Sequence, residues 1–290
     1  MKKALISLSV AFSLTGLAGC NDSANAVSTT TTTTAANTQQ AVTLSFADFS
    51  QAFIDDLWQL SPTWAMYNGK HVNDGYLEVP NQASRDKTLA FVAKHKAQLA
   101  TFDQKTLTPN ELIDYKLLEN LVNNFEWDIN TFKSWQWDPS SYNVAGGFAQ
   151  IINEDFAPLD ERLTSVVARL EHVPAYYQAA RDNIAHPTLP HTQLAIQQNQ
   201  GAFSVFSDDL LKQVADSGLT ATEKALFNTR FDAATAAING HIAWLDKLVV
   251  QLKKDGARSF RIGEELYEQK FAFDIQAGMT AKQLYQKAVA

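Results

Sequence analysis

Six histidines, His71, His95, His172, His186, His191 and His241, are the side chains most able to hold a metal ion in this chain. A helical zinc site needs two of them four apart on one face, commonly as H-E-x-x-H with the glutamate as general base. No such pair occurs. His186 and His191 come nearest, five apart across Pro187 and Pro190, so their rings share no face and read as solvated loop imidazoles. Nucleophilic and phosphate chemistry are equally unprovided for: there is no G-x-S-x-G elbow, and Gly146-Gly147 precedes Phe148 where a phosphate loop would need Gly-Lys. The acid pairs Glu154-Asp155, Asp160-Glu161 and Glu264-Glu265 fall near expected helix starts, where carboxylates complement the helix dipole.

Two clusters keep a binding role open. The aromatics Phe125, Trp127, Phe132, Trp135, Trp137 and Tyr142 are dense. Trp127, Trp135, Trp137 and Tyr142 either form a stacking platform for sugars or peptide side chains in a groove or close the end of a helical core. The amides Gln193, Gln197, Gln198, Asn199 and Gln200 either line a substrate groove or make a polar helix face.

The elements that must position these residues are helices. Phe46, Phe49, Phe53, Leu57 and Leu60 recur at steps of three and four and make one apolar stripe. Thr108-Pro109-Asn110-Glu111 is a capping box with proline at the first helical position, opening a helix of about 25 residues whose face runs from Tyr115 to Phe132. Thr220-Ala221-Thr222-Glu223 opens a core-spanning helix that ends near Asp255-Gly256. Shorter helices are expected around 84–102, 159–172, 174–185 and 192–217. Period-2 alternation is almost absent, with 259–262 the nearest to a strand. With only 12 Gly and 8 Pro in 290 residues, turn-dense all-β architectures are disfavoured and an all-α, multi-helix array of long amphipathic helices is predicted.

The N-terminus carries an address. Met1-Lys2-Lys3 and the apolar run Ala4 to Leu14 lead to Leu17-Ala18-Gly19-Cys20. The run is too short to span a bilayer and reads as an export signal. Its end resembles the lipobox of bacterial lipoproteins, which implies cleavage before Cys20 and acylation of that residue. Cys20 is the only cysteine, so no disulfide competes for it. Several acyl chains at ~0.8 kcal/mol per buried methylene would hold the protein on a membrane. Residues 1–19 are therefore expected to be a lipoprotein signal peptide and 20–44 a disordered Thr-rich tether, with Thr29 to Thr34 unbroken and a coil span of about 25–30 Å. Residues 45–290 are left for the helical domain. Asn21 after the anchor favours the outer membrane over the inner, and the body is expected to face the periplasm. With 24 basic against 31 acidic residues and no basic face, nucleic acid is excluded as a partner.

Several segments carry a family resemblance: Leu60 to Ala65, Ser134-Trp135-Gln136-Trp137-Asp138-Pro139-Ser140-Ser141-Tyr142-Asn143, Pro158 to Leu163, Arg169 to Pro174, Ala180-Arg181-Asp182-Asn183-Ile184, Ile262 to Tyr267 and Gly278 to Ala281. Together, over roughly residues 45 to 290, the chain resembles the bacterial lipoprotein family catalogued as domain of unknown function 885. That resemblance implies a helical, zincin-like metallopeptidase branch, with its zinc helix and a downstream glutamate ligand in a C-terminal half. None of that zinc machinery is present here, so no residue is assigned as metal ligand or catalytic group, no cofactor is expected in this chain, and no stoichiometric zinc binding is expected of it. Thr280-Ala281-Lys282-Gln283 opens a further amphipathic helix with Leu284, Tyr285, Ala288 and Val289, which suggests a helical domain incomplete at its C-terminus.

Two functions follow. In one, the chain is the N-terminal scaffold and groove-forming portion of a lipid-anchored zinc metallopeptidase acting on peptides in the cell envelope. In the other, it is a non-enzymatic binding module tethered to the envelope, with the aromatic cluster as its contact surface.

Overall fold

Threonine caps set the longest helices in the computed structural model, which describes residues 44–290. Thr108 Oγ1 accepts from the Glu111 amide while Glu111 accepts from the Thr108 amide, and Thr220 and Glu223 repeat the exchange. The expected signal peptide, Cys20 and the expected tether up to residue 43 lie outside the described residues.

The chain folds as α1 (Phe46–Leu60), α2 (Pro62–Tyr67), α3 (Gln82–Leu99), α4 (Pro109–Trp127), α5 (Ser134–Trp137), α6 (Ala145–Asn153) and α7 (Leu159–Leu170). It continues with α8 (Val173–Asn183), α9 (Leu189–Gly201), α10 (Asp208–Asp216), α11 (Ala221–Asp255), α12 (Glu264–Ile275) and α13 (Ala281–Val289). The fold is all-α. Among the described residues no strand forms, and the stretch 259–262 is irregular; a single parallel bridge between Thr188 and Arg258 is the whole of the β pairing there. No described helix is long and apolar enough to cross a membrane.

Burial organises the helices around two apolar clusters. Phe46, Phe49, Phe53 and Leu57 of α1 meet Phe91, Val92 and Leu99 of α3 and Tyr115 and Val122 of α4. A larger cluster gathers Phe148 and Ile151 of α6, Leu163, Val166 and Leu170 of α7, Tyr177 of α8 and Phe227, Phe231, Ala234 and Ile238 of α11. The 35-residue α11 runs roughly 50 Å and packs against α7, α8 and α9, giving the larger cluster its spine.

Two helices differ from the sequence expectation. The expected 109–132 helix ends as α4 at Trp127, and the chain makes one π turn over Asp128–Phe132 before Lys133 enters the left-handed region at φ 52°. The break lets the Trp137 indole donate to the Phe132 carbonyl at 2.9 Å. The expected 192–217 helix is two, α9 and α10. A 3-10 turn at Ala202–Ser204 swings the buried Phe206 ring to 4.9 Å from Phe148, and Ser207 restarts the helix by accepting from the Leu210 amide.

Candidate functional site

Within the larger cluster, two arginines are set among the apolar side chains. Arg169 of α7 is 1% exposed and reaches across to donate to the carbonyls of Asp74 at 3.1 Å and Tyr76 at 2.7 Å and to Thr63 Oγ1 at 2.5 Å. Burial lowers its pKa to about 10, still well above neutrality. Gly147 leaves room for this guanidinium, because a Cβ there would sit 2.7 Å from Nη2. Arg162 does similar work at the end of α6, donating to the carbonyls of Ile151 and Ile152 and pairing with Asp155 at 3.1 Å. Both arginines belong to the family-like segments and serve architecture.

A second polar network opens onto a cavity of about 310 Å³ lined by α3, the π turn, α5 and α8. Asn183, at the end of α8, is its hub. Its Nδ2 donates to the Pro80 carbonyl at 2.5 Å and to the Tyr142 hydroxyl at 3.1 Å, and its Oδ1 accepts from Arg85 Nη1 at 3.1 Å. Tyr142 passes the chain on by donating to the Trp135 carbonyl at 2.7 Å. Asn199 holds Tyr142 from the other side, donating to its carbonyl at 3.1 Å while accepting from the Tyr177 hydroxyl at 2.6 Å. The segments 134–143 and 180–184 therefore converge on one wall. Asp138 shapes that wall locally by accepting from the Ser140 amide at 2.9 Å, which fixes the turn between Trp135 and Tyr142.

The charges here are unbalanced. The Arg85 guanidinium lies 4.0 Å over the Trp135 ring, and its hydrogen bonds all go to neutral oxygens: Gln82 Oε1, Asn183 Oδ1 and the Pro80 carbonyl. Asp86, next along α3, supports its charge without pairing to it. Burial holds the Arg85 pKa below its ordinary value. Across the cavity Asp128, the first residue of the π turn, accepts from Ser134 Oγ at 3.1 Å, and burial raises its pKa above the usual carboxylate value, with Ser134 and Lys270 opposing. Tyr142 is pushed up to about 12 by burial and stays neutral, a hydrogen-bond relay and not a base. Phe125, Ile129 and Tyr176 complete an apolar lining.

The aromatic cluster is thus divided. Trp135 and Tyr142 line the cavity. Trp137 is 5% exposed, edge-on to Phe132 with centroids 5.1 Å apart and covered by Arg258 at 4.6 Å. Trp127 stacks on Phe132 at 4.8 Å and donates to Gln269 Oε1 of α12 at 2.6 Å. Of the amide run, Asn199 is fully buried in the network, while Gln193, Gln197, Gln198 and Gln200 are exposed on α9.

The histidines are scattered. His95 sits buried among Phe53 and Phe91, with Asp56 3.1 Å from its Nε2 but off the line of a hydrogen bond. His241 is buried against Tyr177, and neither of its nitrogens has a partner. His71 stacks on Phe156 at 3.5 Å and bonds to Asp74 at 2.8 Å, and His191 Nδ1 lies 2.6 Å from Thr188 Oγ1. Among the described residues no three His, Cys, Asp or Glu side chains converge to hold a metal ion. The zinc implied by the family resemblance does not fit these residues.

The fold is a helical array, with a small amphipathic cavity between α3, the π turn and α8. The chain belongs to the family described as "Bacterial protein of unknown function (DUF885)", which matches residues 62–290. Among solved structures it is similar to that of "a putative lipoprotein of unknown function" from Shewanella oneidensis, with a TM-score of 0.83 at 75% identity over 84% of this chain. The match covers 45% of that structure's chain, so this chain spans less than half its length. No curated protein matches.

Proposed function

We propose that this is a lipid-anchored envelope protein whose helical body presents a ligand groove for peptides, with the cavity between α3, the π turn and α8 as its binding site. The anchor rests on the lipobox at Leu17 to Cys20, together with the description of the Shewanella relative as a lipoprotein. The orientation, facing the periplasm from the outer membrane, rests on Asn21 after the anchor. The observation that carries the binding role is an arginine without a carboxylate partner, stacked on Trp135 in the wall of a cavity that Phe125, Ile129, Tyr142 and Tyr176 also line. Ligand sites characteristically join an apolar lining to a few oriented polar groups. Calorimetric titration of short peptides into the purified full chain is expected to give saturable binding at one site per chain, weakened by Trp135→Ala. Absence of saturable binding across a panel of apolar and aromatic peptides refutes it.

A second reading comes from the family resemblance: the body is the scaffold and groove-forming part of a longer zinc metallopeptidase whose metal ligands come from elsewhere. A full-length relative should then bind about one zinc per chain and cleave peptides in a chelator-sensitive way. A relative that does neither leaves the binding module as the function.

A further inference from the structure

The cavity's charge pattern specifies which part of a peptide it takes. We infer that the Arg85–Trp135 wall binds a free carboxylate attached to an apolar or aromatic body, and that the ligand is the C-terminal residue of a peptide. This rests on the cavity being the binding site proposed above.

A hydrogen bond from an arginine to a carboxylate is charge-assisted and stronger than one to a neutral carbonyl. In this wall the guanidinium is held in place before any ligand arrives. Trp135 supports its face at 4.0 Å, Asn183 fixes Nη1 at 3.1 Å, and Gln82 fixes the Nε and Nη2 edge at 3.3 and 3.0 Å. These partners satisfy donors without neutralising the charge, since all are uncharged oxygens. Nη2 has two hydrogens and a single partner, leaving one donor for an incoming oxygen.

The remaining lining fits what a terminal residue attaches to its carboxylate. Phe125, Ile129 and Tyr176 supply an apolar surface for a side chain. Asp128, on the π turn, supplies a carboxyl acceptor for the residue's own amide N–H. About 310 Å³ is at the lower end of ligand sites, room for one or two residues and not for an extended strand. A simple aromatic acid shares the carboxylate and the ring but has no N–H to offer Asp128.

The test is calorimetric titration of the full chain with three probes: N-acetylphenylalanine, its C-terminal amide, and 3-phenylpropionate. N-acetylphenylalanine should bind at least tenfold more tightly than the amide, because the hydrogen bond from the remaining Nη2 donor loses its charge assistance when the carboxylate becomes a neutral amide. It should also bind severalfold more tightly than 3-phenylpropionate. Arg85→Met should erase the acid-over-amide preference, and Arg85→Lys, which keeps the charge without the guanidinium's held orientation, should retain part of it. Circular dichroism and the melting temperature of each variant separate loss of binding from loss of fold. Should Arg85→Met unfold the chain, the preference ratio in Arg85→Lys decides, and a ratio unchanged from the parent overturns the assignment. Acid and amide binding equally, both weakened by Trp135→Ala, overturns the carboxylate assignment and leaves the groove reading standing. Binding by none of the three, or preference for 3-phenylpropionate, overturns the C-terminal assignment; if the peptide panel is also silent, the groove reading falls with it.

Discussion

His241 gives a pH dependence that can be worked through from one side chain. It lies midway along α11, fully buried, with its ring 4.8 Å from Tyr177 and 5.6 Å from Trp244 and no hydrogen-bond partner on either nitrogen. Burial, with Arg181 adding like-charge repulsion, pulls its pKa from 6.5 down to about 4. Because the folded value is depressed, the unfolded chain takes up the proton first, and stability falls as pH drops from 6.5 through 4. At ~1.4 kcal/mol per pKa unit, this histidine removes about 2 kcal/mol by pH 5 and about 3 kcal/mol by pH 4, while contributing almost nothing above pH 7. The perturbation is His241→Phe, with His241→Leu as a control for ring size. The assay is urea unfolding of parent and variants at steps from pH 7.5 to 4. Other groups titrate in that window, so the informative quantity is the difference in unfolding free energy between variant and parent. That difference should grow by about 3 kcal/mol in the variant's favour on going from pH 7 to 4. At pH 7 the phenyl ring should already be stabilising, since it removes a buried polar group without partners. A difference that stays flat with pH would refute the reasoning and mean that the imidazole is protonated or partnered in the fold.

Arg169→Met should cost about 3–5 kcal/mol in urea unfolding, because it leaves the Asp74 and Tyr76 carbonyls unpaired. Gly147→Ala, which drives a methyl toward the same guanidinium, should cost about 1–3 kcal/mol. Tyr142→Phe should lose about 1–2 kcal/mol, since its hydroxyl both donates to Trp135 and accepts from Asn183, and should leave the pH profile below pH 9 unchanged. Cys20→Ser should move the protein from the membrane to the soluble fraction and abolish incorporation of labelled palmitate; retained labelling would place the acyl chain elsewhere.

Local chemistry was legible in the sequence, and tertiary chemistry was not. The threonine boxes at Thr108, Thr220 and Thr280 mark real helix starts, because a cap and its partner are three residues apart. The stripe Phe46, Phe49, Phe53, Leu57 is buried as its spacing requires. The ends of α4 and α9 escaped notice because each break is driven by packing: Trp137 bonding back to Phe132, and Phe206 turning in against Phe148. Trp135 and Tyr142 could be singled out as aromatics but not separated from Trp137 and Trp127, since the difference lies in which neighbours cover them. Arg85 and Asn183 gave no signal as a pair, being 98 residues apart. Asp128 drew no notice either, because its burial arises from the π turn. Asn183 stood inside a family-like segment, but nothing local marked its side chain as the link between Pro80, Arg85 and Tyr142.

The central claim is that the cavity beside Arg85 and Trp135 receives the ligand. A crystal structure of the full chain grown with N-acetylphenylalanine tests it most directly. The account predicts the carboxylate against the Arg85 guanidinium and the ring against Phe125 and Ile129. A ligand seated elsewhere on the body, with this cavity left empty, would contradict it.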